Sequence, residues 1–354
     1  MRLITWTLTT VLAAATSSAL AADTPKGGYN SPGNILISDQ FNNRVIEIDG
    51  RGNIVWSFGL GPNDVSANSP LGVNDALRVG DQTLVSGTGV PPGFEPACPS
   101  GCADNRVFLV NRAGHITWQY GTFGVTGSGP NQLNTPVQAT WTADHTVLIT
   151  DQGNQRVIEV DRKGKILWQY GQTGVAGSGP DQLSNPNSVE VLDNGDYLIA
   201  DENNNRAIVV NRAKAILATF TAGGTLSGVA FASRLPNGDT LITDSNNNRI
   251  VEVKNNDKIV WSYTTNTQPG SNANPLPTRA VRLKLGDTLI SDQFNDRVIL
   301  VGEHGRLLAQ WGNLNVPGYG KTSTKMGLNA PYDAKVIGDN TGLTWFNGAV
   351  TPGR

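Results

Sequence analysis

Six equivalent positions of a repeated pattern in this sequence carry side chains of very different chemistry. Each position directly precedes a small residue in the first strand-like segment of its repeat. The set is Asp75, Gln138, Ser188, Phe231, Arg279 and Asp333. Variation inside an otherwise regular repeat indicates a candidate binding site. Arg279 would pair with a carboxylate or another anion, whereas Asp75 and Asp333 would accept hydrogen bonds or coordinate a hard cation.

Three alternatives follow from this set and from Glu190, which we expect at the same end of the repeats. A ligand-binding module would use Glu190 and the polar members of the set, Ser188 and Gln138 included, as direct contacts. An enzyme, either a metal-assisted hydrolase or lactonase or a lyase, would hold Ca²⁺ between Asp75, Asp333 and Glu190. In the third alternative the charges satisfy one another as ion pairs at the mouth of a channel. The sequence indicates no catalytic residue and no cofactor other than this Ca²⁺.

The histidines argue against two other kinds of site. The three, His115, His145 and His304, fall in short turns of three different repeats. We expect these turns on one face of the molecule and far from one another, so the histidines would not share a metal ion. A Ser-His-Asp arrangement lacks a placed base for the same reason.

A second set of charged residues recurs in nearly every repeat, as an Asp that is followed five residues later by an Arg. Asp can accept backbone N–H groups within the intervening loop, and Arg can span that loop as a charge-assisted partner. Because a functional site would need different residues in one or two repeats, we predict that these pairs are structural braces. The pairs are Asp39–Arg44, Asp151–Arg156, Asp201–Arg206, Asp244–Arg249 and Asp292–Arg297.

The elements that position these residues are short strands in six repeats. The phrase LITDQGNQRVIEVD at 148–161 returns as LISDQFNDRVILV at 289–301, and most repeat arginines are spaced by about 43 to 50 residues. Alternating apolar residues between Gly, Asn and Asp turns indicate four strands per repeat. The sequence therefore predicts an all-β fold, a six-bladed β-propeller of four-stranded antiparallel blades.

The two ends of the chain predict how the ring closes. The first strand-like segment, at 34–39, matches the second strand of a repeat, and an unpaired first strand occurs at 330–339. Pairing the C-terminal strand with the N-terminal blade would complete one blade from both ends and remove the exposed edges.

These residues resemble the NHL-repeat propeller family, whose units carry an Asp, a short polar loop, Asn-x-Arg and then a strand. The resemblance covers roughly 33–340 and implies a six-bladed propeller. It selects no single chemistry, because propellers of this kind range from scaffolds to lyases and lactonases. The phrases GNIVW at 52–56 and GDTLISD at 286–292 are also similar to arylsulfotransferase-type propellers.

Loop lengths predict which face of the propeller binds a partner. The connections that enter first strands are long, and the insert EPACPSGCADNR at 95–106 emerges at the same end. The connections on the other face are short hairpins. Long loops on a rigid scaffold are where binding usually occurs, so we predict that a small molecule or a protein binds the long-loop face. A flat interaction scaffold of the cell envelope is the further alternative.

Charge and cysteines restrict the partners and the compartment. The formal net charge of −2, without a Lys or Arg cluster, argues against nucleic acid and anionic membranes as partners. The two cysteines, Cys98 and Cys102, are expected to form a disulfide that pins a loop.

The N-terminus reads as a secretory signal peptide over 1–21, with Arg2 before a short apolar stretch and Ala19-Leu20-Ala21 at the cleavage site. We therefore expect a secreted or periplasmic monomer with no membrane span after cleavage. The predicted divisions are the signal peptide, an extension over 22–32, the propeller over 33–340 and a tail over 341–354.

Overall fold

The computed structural model describes residues 28–343, which form six four-stranded antiparallel sheets. Blade 1 contains β24 (Pro331–Val336), β1 (Ile35–Asp39), β2 (Arg44–Ile48) and β3 (Ile54–Phe58). Blade 2 contains β4 (Val73–Val79), β5 (Gln82–Val90), β6 (Cys102–Asn111) and β7 (Ile116–Gly121). Blade 3 contains β8 (Pro136–Trp141), β9 (Val147–Asp151), β10 (Arg156–Val160) and β11 (Ile166–Tyr170).

The other three blades follow the same order from the axis outward. Blade 4 contains β12 (Pro186–Val191), β13 (Tyr197–Asp201), β14 (Arg206–Val210) and β15 (Ile216–Phe220). Blade 5 contains β16 (Val229–Arg234), β17 (Thr240–Asp244), β18 (Arg249–Val253) and β19 (Ile259–Thr264). Blade 6 contains β20 (Arg279–Arg282), β21 (Thr288–Asp292), β22 (Arg297–Val301) and β23 (Leu307–Gly312). The predicted six-bladed all-β propeller is confirmed.

Short 3₁₀ turns connect the second and third strands in five blades. They span Gln40–Asn42, Gln152–Asn154, Glu202–Asn204, Ser245–Asn247 and Gln293–Asn295, and a sixth 3₁₀ turn, Thr324–Met326, lies before β24. Each of the five is followed by a residue in the left-handed conformation, such as Asn43 at φ 49° or Gln155 at φ 59°. We call these five turns the blade tips.

The ring closes as the sequence predicts. β24 pairs antiparallel with β1, with Ile35 opposite Val336 and Ile37 opposite Ala334. The C-terminal strand therefore supplies the innermost strand of the N-terminal blade, which removes the free edge that an open array would have.

The hydrophobic core lies between neighbouring blades, where the faces of adjacent sheets pack together. Leu84 and Tyr120 of blade 2 share one cluster with Ile149 and Ile158 of blade 3. Four outer-strand tryptophans also tie blades 1, 2, 3 and 5 to the blade that follows, because the indole N–H donates to a turn carbonyl. These bonds run from Trp56 to Arg112 (2.9 Å), Trp118 to Arg162 (3.0 Å), Trp168 to Arg212 (2.9 Å) and Trp261 to Glu303 (2.8 Å).

A glycine after the outer strand is required by close backbone contact. Gly171 has a φ of +93°, and a Cβ there would lie 2.3 Å from the carbonyl oxygen of Gln155. Gly312 repeats the arrangement in blade 6, with a φ of +91° and the same distance to the carbonyl oxygen of Asp296. Only glycine fits, because it has no Cβ and adopts positive φ without strain.

Blade 2 departs from the repeat in the position of its acidic residue. Gly87 stands where the other blades have the Asp that ends the second strand. Asp104 of β6 supplies the carboxylate instead: it pairs with Arg106 and accepts the backbone N–H of Leu71 at 2.8 Å. A Cβ at Gly87 would lie 2.2 Å from Asp104 Oδ2. Glycine at position 87 therefore leaves the space that the Asp104 carboxylate occupies.

The predicted disulfide is confirmed. Cys98 and Cys102 are bonded, with 5.9 Å between their Cα atoms, in the insert that joins β5 to β6. Within residues 28–343 the chain has no helix with the length and apolar character needed to cross a lipid bilayer. The predicted signal peptide and residues 344–354 of the predicted tail lie outside the described residues.

Candidate functional site

The varied first-strand positions connect neighbouring blades around the axis. The innermost strand of each blade presents unpaired backbone N–H groups, which need acceptors when they are buried. In four places the side chain of one blade accepts the N–H of the small residue in the next blade. The bonds are Ala76 N to Asp333 Oδ2 (3.2 Å), Ala139 N to Asp75 Oδ2 (3.2 Å), Val189 N to Gln138 Oε1 (2.7 Å) and Ala232 N to Ser188 Oγ (3.2 Å).

The remaining two positions, Phe231 and Arg279, have no acceptor atom on their side chains. The Arg279 guanidinium lies over the Phe231 ring, 4.1 Å from its centroid. It also forms ion pairs with two other members of the set, at 2.7 Å to Asp333 Oδ1 and 2.9 Å to Asp75 Oδ1. The anions that Arg279 contacts are therefore carboxylates of the protein itself.

Lys335 completes a group of four charges that we call the axial quartet, Asp75, Asp333, Arg279 and Lys335. The Lys335 ammonium contacts Asp75 Oδ1 at 2.7 Å, the carbonyl oxygen of Ala76 at 3.0 Å and also Asp333 Oδ2. All four side chains are buried. Because two carboxylates face two cations, the quartet has no net charge.

The pKa shifts follow from burial and from these pairs. Burial raises the pKa of Asp75 because the charged form loses its hydration. Burial acts in the same direction on Asp333, but Arg279 and Lys335 outweigh it and hold the pKa of Asp333 below its ordinary value. The Lys335 ammonium, with three oxygen acceptors, occupies the place between the carboxylates where the predicted Ca²⁺ would bind.

The cavity beside the quartet is small. It has a volume of about 20 Å³ and is lined by residues that include Gln138, Glu190, Phe231, Lys335 and Leu343. This volume holds roughly one water molecule, whereas organic ligands occupy pockets of about 300 Å³ or more. Among residues 28–343, this cavity beside the quartet is therefore too small for an organic ligand.

The prediction that Glu190 lies at the long-loop end is wrong. Glu190 is the penultimate residue of β12, next to the short hairpin that leads to β13. Alternate residues of a strand are roughly 6.6 Å apart, so Glu190 lies one step beyond Ser188 toward the short-loop face. Its Oε2 accepts the backbone N–H of Arg234 at 2.8 Å, which ties blade 4 to blade 5.

Polar side chains close the axial mouth on the long-loop face. Tyr332 of blade 1 reaches across the ring to blade 4, where Asn187 Nδ2 donates to its hydroxyl at 3.0 Å. Asn187 Nδ2 also donates to Glu202 Oε2 at 2.8 Å, and Gln152 Nε2 donates to the same oxygen at 3.1 Å. Burial raises the pKa of Glu202, and burial together with the Glu202 charge raises the pKa of Tyr332.

Glu202 was not among the residues singled out from the sequence, although a signal was present. Glu202 is an acid at the tip position where blades 1, 3 and 6 have glutamine and blade 5 has serine. On the opposite side of the mouth, Gln293 donates to Gln40 at 2.8 Å and Gln40 donates to Asn74 at 2.7 Å. The mouth is thus covered by hydrogen bonds between blades.

Three phenylalanines on the long-loop face form a group that we call the aromatic patch, Phe41, Phe94 and Phe294. The rings of Phe41 and Phe94 are 4.6 Å apart between centroids, and those of Phe94 and Phe294 are 6.5 Å apart. Phe94 is 48% exposed, whereas Phe41 is buried beneath it.

The disulfide-bonded insert presents Phe94 from blade 2 over the tips of blades 1 and 6. The neighbouring residue Glu95 is buried and accepts a hydrogen bond from Asn43 Nδ2 at 3.3 Å. Phe41 and Phe294 occupy a tip position that is Gly153, Asn203 and Asn246 in blades 3 to 5. The sequence reasoning did not single out these two aromatic residues.

The structure brings the five predicted brace pairs into contact. Each Arg donates through Nε to the Asp that ends the preceding strand, and all five Asp side chains are buried. The distances are 2.8 Å in Asp39–Arg44, 2.7 Å in Asp151–Arg156, 2.7 Å in Asp201–Arg206, 2.6 Å in Asp244–Arg249 and 2.8 Å in Asp292–Arg297. Within residues 28–343, no three His, Cys, Asp or Glu side chains converge as a metal site would require.

Comparisons with known proteins agree with a propeller. The family model described as outer membrane protein assembly factor BamB matches residues 6–263. A comparison with curated protein sequences gave no significant match.

Solved structures with the same fold have low sequence identity. Virginiamycin B lyase from Staphylococcus aureus, as its selenomethionine-substituted form, is 13% identical over 80% of this chain and 84% of its own, with a TM-score of 0.50. A protein of unknown function from Bacteroides caccae is 15% identical over 83% of this chain and 97% of its own, with a TM-score of 0.56. At these identities the likeness concerns the fold alone. The more specific NHL-repeat resemblance stays a prediction.

Proposed function

The chain belongs to the family described as outer membrane protein assembly factor BamB, and we propose that it binds an outer-membrane polypeptide through its aromatic patch. In this proposal the propeller is a rigid scaffold of the cell envelope, and the long-loop face is its binding surface. The Cys98–Cys102 disulfide fits an exported protein, because disulfides persist in oxidising compartments. The predicted signal peptide would direct that export.

The observation that carries the proposal is the exposed Phe94 ring on the buried Phe41 ring. Large exposed aromatic groups on a rigid support are typical of protein-binding hot spots, which are enriched in aromatic residues. The insert holds Phe94 there with a disulfide and with the buried Glu95. Two further exposed apolar residues, Leu60 and Val316, lie in long connections of the same face.

The axial residues support a scaffold better than a catalytic centre. We propose that Asp75, Gln138, Ser188 and Asp333 tie blades together, because each accepts a backbone N–H of the next blade. The alternative, a Ca²⁺-assisted hydrolase, lactonase or lyase, would require the Lys335 ammonium to leave its three oxygen acceptors. A polypeptide on the outer surface requires no such rearrangement.

Site-specific photo-crosslinking tests the proposal. A photoreactive phenylalanine analogue at Phe94 should crosslink to outer-membrane polypeptides in the cell envelope. The same analogue at Leu285 is the matched control, because Leu285 is 70% exposed and lies in the hairpin between β20 and β21 on the opposite face. Equal crosslinking at both positions, or none at Phe94, would refute binding through the aromatic patch.

A further inference from the structure

The junction between blade 6 and blade 1, which we call the seam, breaks the rule that the other outer-strand tryptophans follow. Trp311 occupies the same repeat position as Trp56, Trp118, Trp168 and Trp261, whose indole N–H groups donate to the next blade. Trp311 is only 6% exposed, yet its indole N–H has no hydrogen-bond partner among residues 28–343. The indole nitrogen keeps some solvent exposure, so its N–H can donate to water or to a ligand in the adjoining space.

A groove opens at this position in the seam. Its volume is about 470 Å³, within the range of small-molecule sites. The groove is lined by Gly50, Arg51, Ala309, Gln310, Trp311, Gly312, Asn313, Thr324 and Lys325.

Backbone hydrogen bonds hold one wall of the groove in place. The chain before β24 pairs with the outer strand of blade 1, because Ile54 N donates to Thr322 O at 2.8 Å and Thr324 N donates to Gly52 O at 2.9 Å. At Gly52 a Cβ would lie 2.6 Å from Thr324 Oγ1 and 3.2 Å from Trp311 Cδ1, so the indole edge next to Nε1 lies close to this turn.

The charged side chains of the groove are both cationic. The Arg51 guanidinium and the Lys325 ammonium are exposed, and within residues 28–343 neither forms an ion pair or a hydrogen bond. The nearest acid in the turn, Asp49, is already occupied, because its Oδ1 accepts the N–H groups of Arg51 and Asn53 at 2.9 Å each. No carboxylate lines the groove.

We propose that this seam groove binds the oxyanion of a small molecule, a carboxylate, phosphate or sulfate group. The Trp311 indole N–H and the Arg51 and Lys325 cations would donate to its oxygens. Hydrogen bonds from cations to anions are roughly twice as strong as neutral ones, and guanidinium groups match the planar geometry of oxyanions. The site is separate from the aromatic patch and does not depend on the function proposed for it.

The indole N–H resonances of the ¹⁵N-labelled protein test the proposal directly. Phosphate, sulfate and acetate are titrated separately at low constant ionic strength, where exposed charges are least screened. We expect one indole resonance, absent from the Trp311→Phe variant, to shift saturably with at least one of the three anions. The anion that binds most tightly identifies the oxyanion class.

Two variants separate the site from a general charge effect. The double variant Arg51→Gln with Lys325→Gln should weaken binding by about tenfold or more, because two charge-assisted contacts are lost. Lys163→Gln is the matched control, since Lys163 holds the position of Arg51 in the corresponding turn of blade 3. It should bind the anion as the wild type does.

Three results would overturn the proposal. They are no saturable shift with any of the anions, a shifting resonance that persists in Trp311→Phe, and unchanged affinity in the double variant. The other indole resonances report that each variant is folded. Phe94→Ala should leave the titration unchanged, which keeps this test distinct from that of the proposed function.

Discussion

Two brace arginines, Arg297 and Arg249, should differ strongly in their contribution to stability. Both donate through Nε to a buried carboxylate, of Asp292 and Asp244 respectively. Arg297 is 1% exposed, whereas Arg249 is 25% exposed, so water reaches only the second pair well. We consider the variants Arg297→Met and Arg249→Met, which keep most of the side-chain length and remove the charge.

The magnitudes follow from burial. Removing one partner of a buried ion pair costs about 3 to 5 kcal/mol because the other charge stays buried and uncompensated. Exposed pairs contribute about 0 to 1 kcal/mol. We therefore expect Arg297→Met to lower the free energy of unfolding by about 3 to 5 kcal/mol. Arg249→Met should cost less, about 1 to 2 kcal/mol, because water can enter where the partly exposed guanidinium was and Asp244 keeps the backbone N–H of Ser227 at 2.7 Å.

The assay is urea unfolding at pH 7. The midpoints can be compared if the free energy of unfolding has the same slope against urea concentration in both variants. Repeating the urea unfolding over a series of pH values tests how the loss of stability in Arg297→Met changes with pH. Burial raises the pKa of Asp292 and Arg297 opposes it, so the pKa rises further in Arg297→Met. An acid whose folded-state pKa is raised favours the folded state below that pKa. The deficit of Arg297→Met should therefore shrink as the pH falls through the raised pKa of Asp292.

Three results would refute this reasoning: equal losses within about 0.5 kcal/mol, a larger loss in Arg249→Met, or a deficit that grows in acid. The first two would mean that burial does not set the contribution of the braces. The third would mean that Asp292 is not the charge left uncompensated.

Three further predictions concern the axis and the insert. Lys335→Met should lower the free energy of unfolding by about 3 to 5 kcal/mol in urea at pH 7, because the buried carboxylate of Asp333 loses its ammonium partner; a gain in stability would contradict this. Tyr332→Phe should cost about 1 kcal/mol in the same assay, since the hydroxyl no longer accepts from Asn187; an unchanged midpoint would show that this bond does not stabilise the ring. Cys98→Ser should speed limited proteolysis of the insert. It should lower the free energy of unfolding by at most about 2 kcal/mol, as expected for a short disulfide loop. An unchanged cleavage rate would show that the disulfide does not hold the insert.

Features that recur in every repeat could be predicted from the sequence. The six blades, their four strands and the closure through β24 follow from spacing, alternation and the unpaired strand at 330–339. The disulfide follows from two cysteines four residues apart. Each of these inferences rests on a local residue pattern or on the number and spacing of repeats and cysteines. A single sequence contains that information.

Contacts between distant parts of the chain could not be predicted in the same way. The sequence marked Arg279 and Asp75 as exceptions, but they are 204 residues apart and nothing local shows that they pair with each other. Ring closure brings them together with Lys335, which is 260 residues from Asp75. An exception in the repeat therefore indicated a special position and left open whether its partner was a ligand or another blade.

The aromatic patch and the seam groove were missed for different reasons. Phe41 and Phe294 were visible as aromatic exceptions at the tips, but their importance depends on Phe94 of the insert. Trp311 looks regular in sequence. Its environment differs at the seam, where the chain at 322–324 pairs with blade 1 beside it.

The central claim is that the aromatic patch binds an outer-membrane polypeptide, and a binding isotherm tests it most directly. The probe is a fluorescently labelled, unfolded outer-membrane β-barrel protein, titrated with the wild type, Phe94→Ala and Leu285→Ala. Burying a phenylalanine ring contributes about 1.5 to 3 kcal/mol, which corresponds to about a 10- to 100-fold change in affinity. We predict a loss of that size for Phe94→Ala and wild-type affinity for Leu285→Ala. No binding by the wild type, or equal affinity of all three proteins, would contradict the account.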